Sequence, residues 1–175
     1  FRDRYGGVLA DVDFDAFRMI KIRIVAVGKV KEKYFSEAIA EYSKRLSRYC
    51  EFSVVEVKEE NYDKATPSAI GKILSVEGER IEKSIKGLPV CLAIEGKKIT
   101  SEEFAAFIKN KTDRGEGEIT FIIGGSYGID ARIKNACKDK ISFSPMTFPH
   151  TLARVMLAEQ IYRAFTIIAG AEYHK

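Results

Sequence analysis

Two stretches near the C-terminus concentrate the residue types that hold a ligand against main chain. In the first, Ile119-Thr-Phe-Ile-Ile-Gly124-Gly125-Ser-Tyr-Gly128, an apolar strand-like run breaks into paired glycines. With no Cβ, such glycines let a ligand approach the backbone closely. In the second, Ile141-Ser-Phe-Ser-Pro145-Met-Thr-Phe-Pro149-His150, two prolines fix an extended loop and remove two backbone donors. Loops at the ends of neighbouring strands are where an α/β sheet places a ligand. The terminal Glu172-Tyr173-His174-Lys175 adds aromatic, imidazole and ammonium groups, a set that suits a base and a phosphate. A frayed terminus is its plainer reading.

Several other chemistries are excluded. Gly96-Lys97-Lys98 lacks the upstream glycine and the hydroxyl residue of a phosphate-binding P-loop. The dinucleotide fingerprint should follow the first strand, where Gly28 stands alone. The two histidines, His150 and His174, form no cluster with metal-ligand spacing, and no metal is expected. A G-x-S-x-G nucleophile elbow is absent. Cys50, Cys91 and Cys137 are too widely spaced for a zinc site, and their odd number argues against a disulfide framework. Reduced cysteines point to the cytoplasm, and Cys91, inside an apolar run, reads as core.

The loops must be carried by regular elements, and the chain supplies them in alternation. Ile20 to Val27, Phe52 to Val57, Leu88 to Ile94, Ile119 to Ile123 and Ile141 to Ser144 read as strands. Between them, Tyr34, Phe35, Ala38, Ile39, Tyr42 and Leu46 recur at helical spacing. Thr66-Pro67 opens a second helix. Thr100-Ser-Glu-Glu103 is a capping box for a third, which Gly115 stops, and Asp130 caps a short fourth. Glu59 to Thr66 is polar and the sole candidate for a linker. This pattern predicts an α/β fold with a mainly parallel sheet flanked by helices.

The last helix, about Thr151 to Ile168, is nearly apolar all round. Only Glu159, Arg163 and Thr166 form a narrow polar side. Such a helix is buried on more than one side, which predicts packing on the sheet and against a second subunit. Arg154 breaks the apolar arc, projecting with Leu157, Ile161 and Phe165. Two readings follow: a salt bridge to a buried carboxylate, or a cation aimed into a pocket.

The 175 residues suffice for one well-cored domain. Residues 1–18 look foreign to the rest, and Met19 is read as the natural start after an upstream or cloning-derived extension. A net charge of +4 allows an anionic partner without requiring one. No apolar run reaches membrane-spanning length.

At these residues the chain resembles a known family. Met19-Ile-Lys-Ile-Arg-Ile-Val-Ala-Val-Gly-Lys, Phe121-Ile-Ile-Gly-Gly-Ser-Tyr-Gly, Ser142-Phe-Ser-Pro-Met-Thr-Phe-Pro-His, Arg154-Val, Glu159-Gln-Ile-Tyr-Arg-Ala-Phe and Tyr173-His-Lys resemble the ribosomal large subunit methyltransferase H family of the SPOUT class. The resemblance covers residues 19–175 in order, as a single domain, and residues 1–18 have no counterpart. The family tail often has proline before Tyr-His, where this chain has Glu172.

The resemblance implies a deep C-terminal trefoil knot, a homodimer, and S-adenosylmethionine as methyl donor. The matching cofactor positions are Leu92, Gly124, Phe143, Ser144, Pro145, Met146, Thr147 and Phe148. The implied substrate is N3 of a pseudouridine in 23S rRNA, methylated on the assembled ribosome, with neither DNA nor membrane as partner. N3 must be aligned with the methyl and lose a proton, and a nearby cation or imidazole would stabilise the anion. Arg154 is the first candidate for that cation, and His174 for base or base-positioning group. Tyr173 would stack on the nucleotide, Lys175 would hold phosphate, and His150 would shape the cofactor loop. Two other readings stay open: a SPOUT-type enzyme acting on tRNA, and a non-catalytic RNA- or nucleotide-binding module.

Overall fold

The computed structural model describes residues 20–63, 66–171 and 173. Residues 1–18, expected to be an extension, and Met19 therefore lie outside the described residues, as do His174 and Lys175. In chain order the elements are β1 (Lys21–Val27), α1 (Lys33–Leu46), β2 (Glu51–Val57), α2 (Pro67–Ser84) and β3 (Leu88–Lys98). They continue with α3 (Ser101–Asp113), β4 (Glu118–Ile123), α4 (Ala131–Ala136), β5 (Asp139–Ser142) and α5 (His150–Ile168).

The strands form one sheet in the order β2-β1-β4-β3-β5, every pairing parallel. β1 shows why helices must cover both faces. Its alternate residues Ile22, Ile24 and Ala26 enter one core, while Val25 and Val27 enter the other. The first core is closed by α1, α3 and α5 through Leu46, Phe104, Ile108, Leu157, Ile161 and Phe165. The second is closed by α2 and α4 through Ile81 and Ile133. Crossovers towards β2 use the first face and crossovers towards β5 the second, as a single handedness of parallel connections demands.

Local signals set the helix starts. The Thr66 side chain accepts the Ala69 N–H, and Thr100 with Glu103 completes a reciprocal capping box. Asp130 accepts the Arg132 N–H at the start of α4. In its described residues the segment after β2 is tied to α2. Glu60 donates its N–H to the buried Glu77, and Arg80 pairs with the Glu60 carboxylate at 2.6 Å.

Two strand ends differ from the sequence reading, and both differences shape the ligand edge. β5 stops at Ser142 because the Ser142 hydroxyl donates to the Ser144 carbonyl, while Ser144 Oγ accepts the Met146 N–H. Side-chain bonding of this kind replaces the ladder by a loop. β3 leaves register after Leu92 and rejoins β5 at Lys97, both residues pairing with Ile141. Gly96 permits the crossing, since a Cβ there would stand 2.7 Å from the Ile141 backbone.

Gly124 has a structural reason to be glycine as well as the one its sequence suggests. A Cβ at Gly124 would lie 2.2 Å from the Gly128 carbonyl oxygen, so the chain's own backbone occupies that space. The loop folds back on itself, with Gly128 donating its N–H to the Gly125 carbonyl at 3.0 Å and adopting φ +90°. Overpacking at such a site costs about 1–3 kcal/mol. Gly124→Val should therefore lower the urea midpoint even without ligand. An unchanged midpoint would mean the loop opens freely.

Candidate functional site

All strands being parallel, their C-terminal ends share one edge, and a pocket opens there between β3, β4 and β5 under the start of α5. Its volume is about 610 Å³, within the ordinary range for small-molecule sites. Leu92 lines it from β3, Gly124 from the glycine loop, and Phe143, Ser144, Met146, Thr147 and Phe148 from the proline loop. Pro145 belongs to the same loop but does not line the cavity. The structure thus gathers three separate stretches of the chain around one volume.

The walls are mostly apolar, with Ile94, Ile123, Ile129 and Ile141 completing them. Polar groups are few. Lys134 and Glu95 pair across one side at 2.6 Å, and His150 closes the roof. Burial, reinforced by the Arg154 charge, lowers the pKa of His150 from its ordinary value, which keeps the ring neutral near pH 7. A few polar groups on an apolar concavity suit an aromatic heterocycle with a polar rim.

The glycine loop is held from behind. The buried Glu77 carboxylate lies under Gly125, where a Cβ would approach its Oε2 to 3.1 Å. Ser126 donates its hydroxyl to Glu59 at 3.3 Å, tying this loop to the segment after β2. Burial raises the Glu77 pKa, opposed by its bond from the Glu60 N–H.

Arg154 does not line the pocket. It is fully buried, and its Nη1 reaches Glu56 Oε1 at 2.9 Å. Nη2 donates to the carbonyls of Val27 at 2.5 Å and Gly28 at 2.9 Å. The guanidinium therefore ties α5 to the ends of β1 and β2. Of the two readings open from sequence, the fold displays the salt bridge, with the arginine buried and its partner Glu56 still open to solvent. Desolvation lowers the Arg154 pKa and Glu56 raises it. Glu56 is a partner that the sequence signals only weakly, as a carboxylate within the strand run Phe52 to Val57.

Tyr173 lies along α5, clear of the pocket in its own chain. Its hydroxyl is 3.4 Å from Glu159, its ring meets Tyr162 edge-on at 4.8 Å, and Arg163 stands over it at 4.9 Å. Burial, with Tyr42 and Glu159 beside it, pushes its pKa up to about 12. No residue of α5 is fully exposed, and Leu152, Val155 and Met156 stay half-buried on its outer side. Among the described residues no three His, Cys, Asp or Glu side chains gather as a metal site, and no helix is long and apolar enough to cross a membrane.

Glu56 keeps 34% of its side chain exposed, so losing the guanidinium leaves no buried charge but strips the bonds to Glu56 and to the carbonyls of Val27 and Gly28, at about 1–3 kcal/mol. Arg154→Met should therefore destabilise the fold by that order in urea denaturation. Arg154→Lys should recover only part of the loss, because an ammonium lacks the planar fork that reaches three acceptors. A variant as stable as the parent would remove Arg154 from the architecture.

The SPOUT methyltransferase family model, described as a predicted SPOUT methyltransferase, matches residues 20–174. Proteins named Ribosomal RNA large subunit methyltransferase H from Streptococcus pneumoniae strains CGSP14 and TIGR4 are 48% identical over 159 residues. Those matches span 89% of this chain and 100% of each relative. Among solved structures, a probable methyltransferase from Bordetella pertussis Tohama I superposes with a TM-score of 0.54 at 15% identity, covering 86% of this chain and 99% of its own. A probable methylase family protein from Haemophilus influenzae Rd KW20 gives 0.54 at 13% identity, covering 90% and 71%. These two share the fold. With its parallel sheet, its pocket between two strand-end loops and a match along nearly the whole described chain, this protein belongs to the SPOUT methyltransferase family.

Proposed function

We propose that this enzyme transfers a methyl group from S-adenosylmethionine to N3 of a pseudouridine in 23S rRNA, on the assembled ribosome in the cytoplasm. The observation that carries the reading is the convergence of Leu92, Gly124 and the Phe143–Phe148 loop, Pro145 excepted, on one cavity. The name shared by relatives 48% identical to this chain supports ribosomal RNA as substrate.

Bound there, S-adenosylmethionine supplies an electrophilic methyl on a sulfonium. The chain's own part is placement and solvent exclusion. Leu92, Ile129, Ile141 and Phe148 enclose a flat base, and the main chain of the two loops offers hydrogen bonds to its edge. His150, kept neutral, shapes the roof. Arg154 acts as a positioning residue, since its bonds fix the start of α5 and hence the roof. The trefoil knot belongs to the same reading. It is supported by β5 lying at the sheet edge beyond β3 while α5 returns to pack on β1 and β4.

The enzyme acts as a homodimer. A helix with no exposed position, yet with apolar side chains half-covered on its outer side, supports a second copy there. The tail then serves the partner's pocket: Tyr173 stacks on the target nucleotide, His174 positions or accepts the proton, and Lys175 holds phosphate. Tyr173 lying beside Glu159, away from its own pocket, supports that exchange.

Incubation with labelled S-adenosylmethionine should methylate assembled ribosomes and leave bulk tRNA unlabelled, with the product identified by nucleoside mass spectrometry. Label in tRNA alone would transfer the assignment to another SPOUT activity, and no cofactor binding would leave a non-catalytic module. Sedimentation should give twice the monomer mass, and a monomer would end the composite site. Deleting Tyr173 to Lys175 should leave cofactor affinity intact while lowering methylation by at least about a hundredfold. Full activity would exclude the tail from the site.

A further inference from the structure

The loop between β1 and α1 rises at the same edge of the sheet as the pocket. Gly28, at φ +84°, brings it close, for a Cβ there would stand 3.3 Å from His150 Nε2, in the pocket roof. The loop is pinned from below. Val30 donates its N–H to Glu56 Oε1 at 2.9 Å, the same oxygen that receives Arg154. Its backbone is therefore fixed to the brace that fixes the roof.

Its side chains are sorted by charge. Glu32 turns inward, with Oε2 buried. Lys29, Lys31 and Lys33 point outward and are exposed. Lys33 has Glu37 at 3.6 Å, whereas Lys29 and Lys31 have no carboxylate within ion-pair distance among the described residues. Next comes Tyr34, 63% exposed, its ring 4.5 Å from that of Phe35. The pocket lining carries further exposed apolar groups, Ile94 and Met146, and Tyr127 is exposed within the glycine loop.

Unneutralised cations on a pinned backbone, followed by an exposed ring, match the two demands of an unpaired RNA strand. Lysines displace counterions from phosphates. Aromatic faces stack on bases of any sequence. An acidic protein surface would account for the lysines but not for a tyrosine ring left largely in water. We propose that Lys29, Lys31 and Tyr34 form a docking rim for the RNA flanking the target nucleotide, the lysines on phosphates and Tyr34 stacked on an unpaired base. The inference rests on the rRNA methyltransferase reading and adds to it the surface that receives the substrate.

The test compares the full chain with Lys29→Ala/Lys31→Ala, Tyr34→Ala and Tyr34→Phe. Cofactor affinity is measured by calorimetry, ribosome affinity by co-sedimentation over a salt series, and kcat and KM by methylation. Each variant should bind S-adenosylmethionine within about twofold of the parent, which also reports an intact fold. The double variant should raise the ribosome Kd and KM by about tenfold or more. It should also flatten the slope of log K against log salt by about 1.4, at roughly 0.7 per lost phosphate contact to a single strand. Tyr34→Ala should weaken binding about tenfold and Tyr34→Phe should restore it, because the ring does the stacking. Unchanged ribosome affinity and salt slope in the double variant, with the parent active, would overturn the docking rim and leave the methyltransferase reading standing. A parent that binds cofactor but neither binds nor methylates ribosomes would overturn the rRNA reading, and the rim with it.

Discussion

A single buried guanidinium sets the geometry on which the rest depends. Arg154 has no exposed surface, and an arginine is tolerated there only if its charge is met and the two ends of its fork are bonded, even with Nε left unpaired among the described residues. Glu56 meets the charge, and the carbonyls of Val27 and Gly28 take the second nitrogen. Those three acceptors sit at the ends of two adjacent strands, while Arg154 sits in the first turns of α5. One side chain thereby fixes the angle at which the final helix meets the sheet. It also fixes where His150 stands over the pocket and, through the Val30 N–H on Glu56, the path of the β1–α1 loop.

The pocket follows from this constraint and from topology. In a parallel sheet every C-terminal end faces the same way, so the bulge of β3 and the loops after β4 and β5 converge without further instruction. What the sequence adds is loops that support themselves. The glycine loop closes on its own backbone at Gly124 and Gly128, the proline loop is stitched through Ser142 and Ser144, and β3 bulges around Ile141 by virtue of Gly96. A cavity with preformed walls binds with little ordering cost, which is the general condition for holding a reactive donor in one orientation.

Much of this was legible in the residues. Period-two runs such as Ile20 to Val27, and cap signals such as Thr100 with Glu103, locate elements to within a residue or two because they report local physics. The two loops stood out because glycine and proline spacing is itself a backbone statement. Other features depended on tertiary neighbours. Gly124 reads as room for a ligand, and that the Gly128 carbonyl also needs the space is a tertiary fact no local pattern carries. Arg154 reads equally as a pocket cation or a buried brace, because nothing in its own helix reveals that Glu56 lies opposite, 98 positions away. β5 ended early because serine side chains compete with the ladder, an effect hidden in Ser142-Phe-Ser144 until the turn is seen.

The central claim is a division of labour, in which the two loops hold the methyl donor while Arg154 braces the fold beside them. A crystal structure of the protein with S-adenosylhomocysteine tests it most directly. The account predicts the adenine enclosed by Leu92, Phe148 and the main chain of the two loops, with Arg154 still bonded to Glu56 and the carbonyls of Val27 and Gly28. A ligand bound elsewhere, or Arg154 released from Glu56 and hydrogen-bonded to the ligand, would contradict it.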